Sequence, residues 1–182
     1  MQNNTRKLVT SAMFVCLLII GAQISIPLPA MVPISLQTLA IYLLALMFDA
    51  KTSFVVTVIY LVMGVIGLPV FAGFTGGASH LVGPAGGFLF GFPIMAVLIS
   101  IIASKRNSVM AWIVALVLGT SVLYTIGTVY FMYVAKAPLT SALMSCVIPF
   151  IPGDFMKMAG AVLVTKKIKK FVVQKENILL NS

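Results

Sequence analysis

The sequence predicts an all-α integral membrane protein of six transmembrane helices, with a Gly/Pro-rich outward loop between helices 3 and 4. Three observations carry that prediction. Of 182 residues, 61% are hydrophobic and 8% charged, with a mean hydropathy of +1.16, far from what a soluble domain needs to wet its surface. Apolar runs recur along the chain, and a bilayer core of about 30 Å takes about 20 such residues per helix, so the length allows roughly six crossings. Basic residues gather in short clusters at the ends of those runs, which explains a net charge of +9 by topology rather than by nucleic acid. A single membrane domain over residues 1–182 is expected.

The first span covers residues 7–26 and ends before Pro27. Its basic lead and apolar core are like a signal peptide, but it has no obvious small-x-small cleavage site and reads as a retained span. Within it, Ala12 and Cys16 have the small-xxx-small spacing that lets another helix approach closely. The second span, 36–49, begins beside Ser35, Gln37 and Thr38, which are either a helix-start polar cluster or donors to a cavity. Asp49 and Lys51 flank the turn into the third span, 53–66, and read as an interfacial pair. Spans four and five are expected at 84–103 and 108–134. The sixth apolar stretch contains Pro149 and the run Ile151-Pro-Gly-Asp154, so a short re-entrant helix at 138–149 should precede a helix over 152–170.

Arg6, Lys7, Lys51, Lys105, Arg106 and the lysines at 166, 167, 169, 170 and 175 all fall on one side of a six-span path. Short cytoplasmic loops are enriched in Lys and Arg, so both termini are predicted cytoplasmic and the Gly-rich loop outward. The KKIKK run at 166–170 reads as a stop-transfer and headgroup anchor.

The loop itself, GLPVFAGFTGGASHLVGPAGGFLFGFP over 67–93, holds eight of the chain's 14 glycines. It lacks the GxxxxGK[ST] pattern that grips nucleotide phosphates, so the chain is not an ATPase by itself. Irregular backbone at membrane depth is tolerated where it is buried in protein or lines a cavity. The loop therefore reads either as a cavity wall, with Phe71, Phe74, Phe88 and Phe90 supplying apolar surface, or as a tightly packed corner. Asp154 and Lys157 lie i and i+3 in an apolar segment, where ionisable residues face a cavity or each other. They can hold a ligand as adjacent acceptor and donor, or pair privately. His80, Cys16 and Cys146 have no metal-ligand spacing, and no metal or cofactor is expected.

Together GLPVFAGFTGG, LVGPAGGFLFGF and PGDFMK resemble the BioY family, the biotin-binding S components of energy-coupling factor vitamin transporters, over essentially the whole chain. The resemblance implies a non-enzymatic subunit of the cell membrane that captures biotin on the outer side. It would deliver the vitamin inward with a transmembrane coupling subunit and two cytoplasmic ATPases that use ATP. The family's acid and lysine fall on Asp154 and Lys157. Asp154 would accept N–H bonds from the ureido ring, and Lys157 would donate to the ureido oxygen or the valerate carboxylate. Gln37, Gly73 and Ser79 are placed as further contacts by cavity logic. The family's AxxxA docking spacing on the first helix reads here as Ala12 and Cys16, with cysteine in place of the second alanine. Competing readings are an S component for thiamine or riboflavin, and a membrane scaffold in which Asp154 and Lys157 merely pair.

Overall fold

The computed structural model describes residues 2–28, 32–106 and 108–180. Arg6 and Lys175, two of the basic residues used for topology, lie outside the residues whose side chains are described. Among the described residues the regular elements are helices, apart from one strand pair of two residues each.

Helix α1 spans Gln2–Gln23 and stops short of the predicted end at residue 26. The reason is local: a proline disfavours helical backbone in the residue before it, here Ile26 before Pro27. Ser25–Ile26 (β1) instead pairs antiparallel with Ile34–Ser35 (β2), Ser25 opposite Ser35 and Ile26 opposite Ile34. Helix α2 (Gln37–Met47) and helix α3 (Ala50–Val65) follow, then a short helix α4 (Ser79–Val82) inside the Gly-rich segment. Helix α5 (Gly86–Lys105) and helix α6 (Val109–Ala135) are the long apolar pair, and α6 starts where the Ser108 side chain accepts the Ala111 amide at 3.2 Å. Helix α7 (Leu139–Cys146) and helix α8 (Ile151–Leu180) meet at a 43° bend around Pro149. Pro152 sits in the first turn of α8, where its missing N–H leaves no hydrogen bond unmade.

The structure supports the membrane-spanning reading in a coarser form, counted among the described residues. Two helices, α5 and α6, are long and apolar enough to cross a bilayer, and α7 with α8 make a third if the bent pair is one span. The 11 residues of α2 rise only about 16 Å at 1.5 Å per residue, well under a bilayer core. Hydropathy alone marks the apolar runs at 36–49 and 53–66 without measuring how much of each is helix.

Packing centres on α5, which lies along α6 and also touches α2, α3 and α4. Small residues make the α5–α6 approach close: a Cβ at Gly87 would collide with Tyr130, and one at Gly127 with the Phe88 ring. Hydroxyl groups join the other helices. Ser53 of α3 bonds Ser100 of α5 at 2.9 Å, and Ser100 donates to the Ala45 carbonyl of α2 at 3.0 Å.

The turn between α2 and α3 is held by Asp49, though not through the expected pair with Lys51. Its carboxylate accepts the Thr52 amide at 3.2 Å and the Thr52 hydroxyl at 2.7 Å, the ordinary N-cap arrangement. The Thr52 hydroxyl bond holds this carboxyl below its usual range, with a smaller pull from Lys7 of α1. Lys7 is thus near the α2–α3 turn, and the start of α1, Lys51 and Lys105 share one end of the bundle. Asp49→Ala is expected to cost about 1 kcal/mol of stability at neutral pH, as lost helix caps do. Because the native carboxyl titrates lower than the unfolded one, its contribution is full above about pH 4 and is lost as pH falls through the native value. Thermal unfolding of the two proteins in detergent should therefore differ at neutral pH and converge in acid.

Candidate functional site

At the end of the bundle opposite those basic residues lies a cavity of about 450 Å³, within the usual range for small-ligand sites. The starts of α2, α5 and α8 supply one part of its wall, through Gln37 and Thr38, Phe88 and Phe92, and Asp154 and Lys157. Tyr124, past the middle of α6, the segment Phe71–Thr75, His80 of α4, and Gln23, Ser25 and Ser35 around the strand pair are also on the wall.

Asp154 is 2% exposed and Lys157 8%. The lysine Nζ lies 2.8 Å from Asp154 Oδ1, and both bond the Thr38 hydroxyl: Thr38 donates to Oδ1 at 3.2 Å, and Nζ donates to Thr38 at 3.0 Å. Tyr124 donates to the other carboxylate oxygen at 2.6 Å. One acid therefore ties α2, α6 and α8 together. A carboxylate offers about four acceptor positions and an ammonium three donors. Among the described residues one acceptor position of Asp154 and one donor of Lys157 are left over, so the pair is both a structural bond and a usable acceptor–donor edge.

A second network positions the Gly-rich segment. Ser35 donates to Gln37 Oε1 at 2.7 Å, Gln37 Nε2 donates to the Tyr60 hydroxyl, and Tyr60 donates to the Val70 carbonyl at 3.0 Å. From the other side Gln23, at the end of α1, places its Nε2 3.3–3.5 Å from the Pro69, Val70 and Phe71 carbonyls. Its Oε1 accepts the Phe74 amide at 2.7 Å. Phe74 has φ 57°, a left-handed backbone that a bulky residue rarely adopts, directly after Gly73 at φ 72°. The glutamine holds that conformation in place.

The structure thus brings Asp154, Lys157, Gln37 and Gly73 to one cavity, while Ser79 is exposed and off its wall. Phe71, Phe74 and Phe88 line it; Phe90 instead packs on Tyr130, with ring centroids 6.1 Å apart. Ala12 and Cys16 stand exposed on α1, away from the cavity. Sequence reasoning missed Tyr124 and Gln23. The available signal was chemical: a phenol or an amide within an apolar run must place its polar end on a partner.

A multi-pass helical membrane protein with a buried acid–base pair facing one cavity is built to hold a small polar ligand. The chain belongs to the BioY family, whose family model matches residues 1–174, and that family consists of transport proteins, not enzymes. It is 35% identical over 170 residues to the biotin transporter BioY of Thermotoga maritima, covering 93% of this chain and 99% of that one. Over 159 residues it is 36% identical to the probable biotin transporter BioY of Pyrococcus horikoshii, covering 87% of this chain and 93% of that one. The crystal structure of the S component for biotin from an ECF-type ABC transporter superimposes with a TM-score of 0.85 at 26% identity, covering 93% of each chain.

Proposed function

We propose that this protein is the biotin-binding S component of an energy-coupling factor transporter. It captures biotin at the outer face of the cell membrane and delivers it inward with a transmembrane coupling subunit and two cytoplasmic ATPases. The observation that carries the reading is the Asp154–Lys157 edge, an acceptor and a donor 2.8 Å apart at the cavity wall, which matches the adjacent N–H and C=O of a ureido ring. Membership of the BioY family and the biotin named for its relatives support the same ligand. Gln37 and Gly73 are further contacts, and Ser79, exposed and off the wall, is left out of the contact set.

In this reading the six apolar helices α1, α2, α3, α5, α6 and α8 all cross the bilayer, the shorter ones in the company of flanking loops. Both termini are cytoplasmic, because Lys7, Lys51, Lys105 and Arg106 share one end, and the cavity faces outward. Ala12 and Cys16, one turn apart and exposed on α1, form the docking contact for the coupling subunit.

The test is equilibrium binding of labelled biotin to the purified chain in detergent without ATP. Binding displaced by unlabelled biotin, and not by thiamine or riboflavin, is expected. Displacement by either of those vitamins would reassign the ligand. An absence of binding would favour the scaffold reading, to which the Asp154–Lys157 bond gives independent support.

A further inference from the structure

Among the described residues, every polar side chain on the cavity wall has a hydrogen-bond partner within the protein except two, the Ser25 hydroxyl and the His80 imidazole. His80 is the chain's one histidine. It stands on α4, half-buried, with its ring set edgewise against Phe71 at 5.8 Å between centroids. The contact fixes the ring plane while both nitrogens stay available. The aromatic series continues inward, since Phe71 packs in turn against Tyr60 at 5.7 Å.

A ligand that is a ureido ring with an acidic tail makes two distinct demands. The ring needs an acceptor beside a donor, which Asp154 and Lys157 supply together. The tail's carboxylate needs a donor apart from Asp154, whose negative charge repels it. Of the two wall groups left without partners, Ser25 offers a neutral hydroxyl, whereas an imidazole offers an N–H donor in either protonation state and a positive charge in one. Among the described residues Lys157 is the one other cation on the wall, and it is held at the ring end by Asp154 and Thr38. Lys51 and Lys105 stand at the far ends of α3 and α5, the helices packed against α4, and Lys136 at the end of α6 lies off the wall. Tyr130 of α6 is engaged with the Leu81 carbonyl at 2.7 Å.

We infer that His80 is the carboxylate subsite: its imidazole N–H binds the acid end of the biotin tail while Asp154 and Lys157 hold the ureido ring. The assignment rests on the biotin reading. It makes His80 a specificity residue that tells the free acid from its neutral derivatives, and it gives Lys157 to the ureido oxygen rather than to the tail.

The experiment compares biotin with its primary amide in equilibrium binding to the purified full chain, unaltered and as His80→Phe, which keeps an aromatic ring against Phe71. The unaltered chain is expected to prefer the acid by about tenfold or more, the scale of a charge-assisted hydrogen bond. In His80→Phe the acid should fall to the level of the amide, while amide affinity moves by less than about twofold. Amide binding thereby reports that the pocket is intact. An acid preference unchanged in His80→Phe, or absent from the unaltered chain, would overturn the assignment, and so would an equal loss of both compounds. Binding of neither compound by the unaltered chain would refute the biotin reading itself.

Discussion

Asp154→Asn is expected to weaken biotin binding by about 10- to 100-fold while the helices stay in place. The substitution keeps the side chain's size and one acceptor oxygen, so Thr38 or Tyr124 can still donate to it. What it removes is the negative charge that makes the bond from a ureido N–H strong; hydrogen bonds to charged groups contribute about 1.5–3 kcal/mol, against about 1 for neutral ones. An amide nitrogen turned toward Lys157 would stand donor to donor at a position now bonded at 2.8 Å, and one turned toward Tyr124 would reverse the bond now made there at 2.6 Å, with the phenol accepting. Isothermal titration, with thermal unfolding of the same samples, checks both halves of the expectation. Affinity within a factor of about two of the unaltered chain would remove Asp154 from the site.

The second large effect concerns the ion pair as a unit. Lys157→Met leaves the Asp154 carboxylate buried without its cation, and breaking one side of a buried pair costs about 3–5 kcal/mol. A marked fall in melting temperature should accompany loss of binding. Neutralising both residues together, as Asp154→Asn with Lys157→Met, removes the uncompensated charge, and stability should return to near that of the unaltered chain. Binding should not return, because the acceptor–donor edge is gone. This divergence separates the two readings of the pair that the sequence left open. In a scaffold, recovery of stability would be recovery of function; in a binding subunit the double variant is a stable protein that takes up no vitamin.

Much of the site was legible because ionisable residues are rare in apolar segments. Asp154 and Lys157 stand out for that reason, and the i, i+3 spacing alone puts them on one face of α8. Tyr124 carries no such contrast. It sits in a long apolar helix where a tyrosine reads as packing, and only the arrival of α8 against α6 reveals its bond to Asp154. Gln23 was hidden for a similar reason, since its partners are backbone carbonyls some 46–48 residues away. The fold shows the same division. The start of the fifth span, placed at 108, lies within a residue of the start of α6 at Val109, whereas α4 is a single turn inside a segment whose glycines announce only irregular backbone. Asp49 was placed correctly at a turn but given the wrong partner, because a neighbouring charge was preferred to the Thr52 amide and hydroxyl that the N-cap position supplies.

The chain of bonds through Gln37 has a direction, and that direction is set at its far end. The Val70 carbonyl can only accept, so the Tyr60 hydroxyl must spend its proton there and receive from Gln37. Gln37 must then present its amide nitrogen to Tyr60 and its oxygen to Ser35. A free glutamine could turn either end toward a visitor; this one has lost the choice. Whatever enters the cavity meets a glutamine whose ends cannot be exchanged: one N–H of its amide nitrogen is held by Tyr60 and one lone pair of its oxygen by Ser35, so the second N–H and the second lone pair are presented in a fixed order.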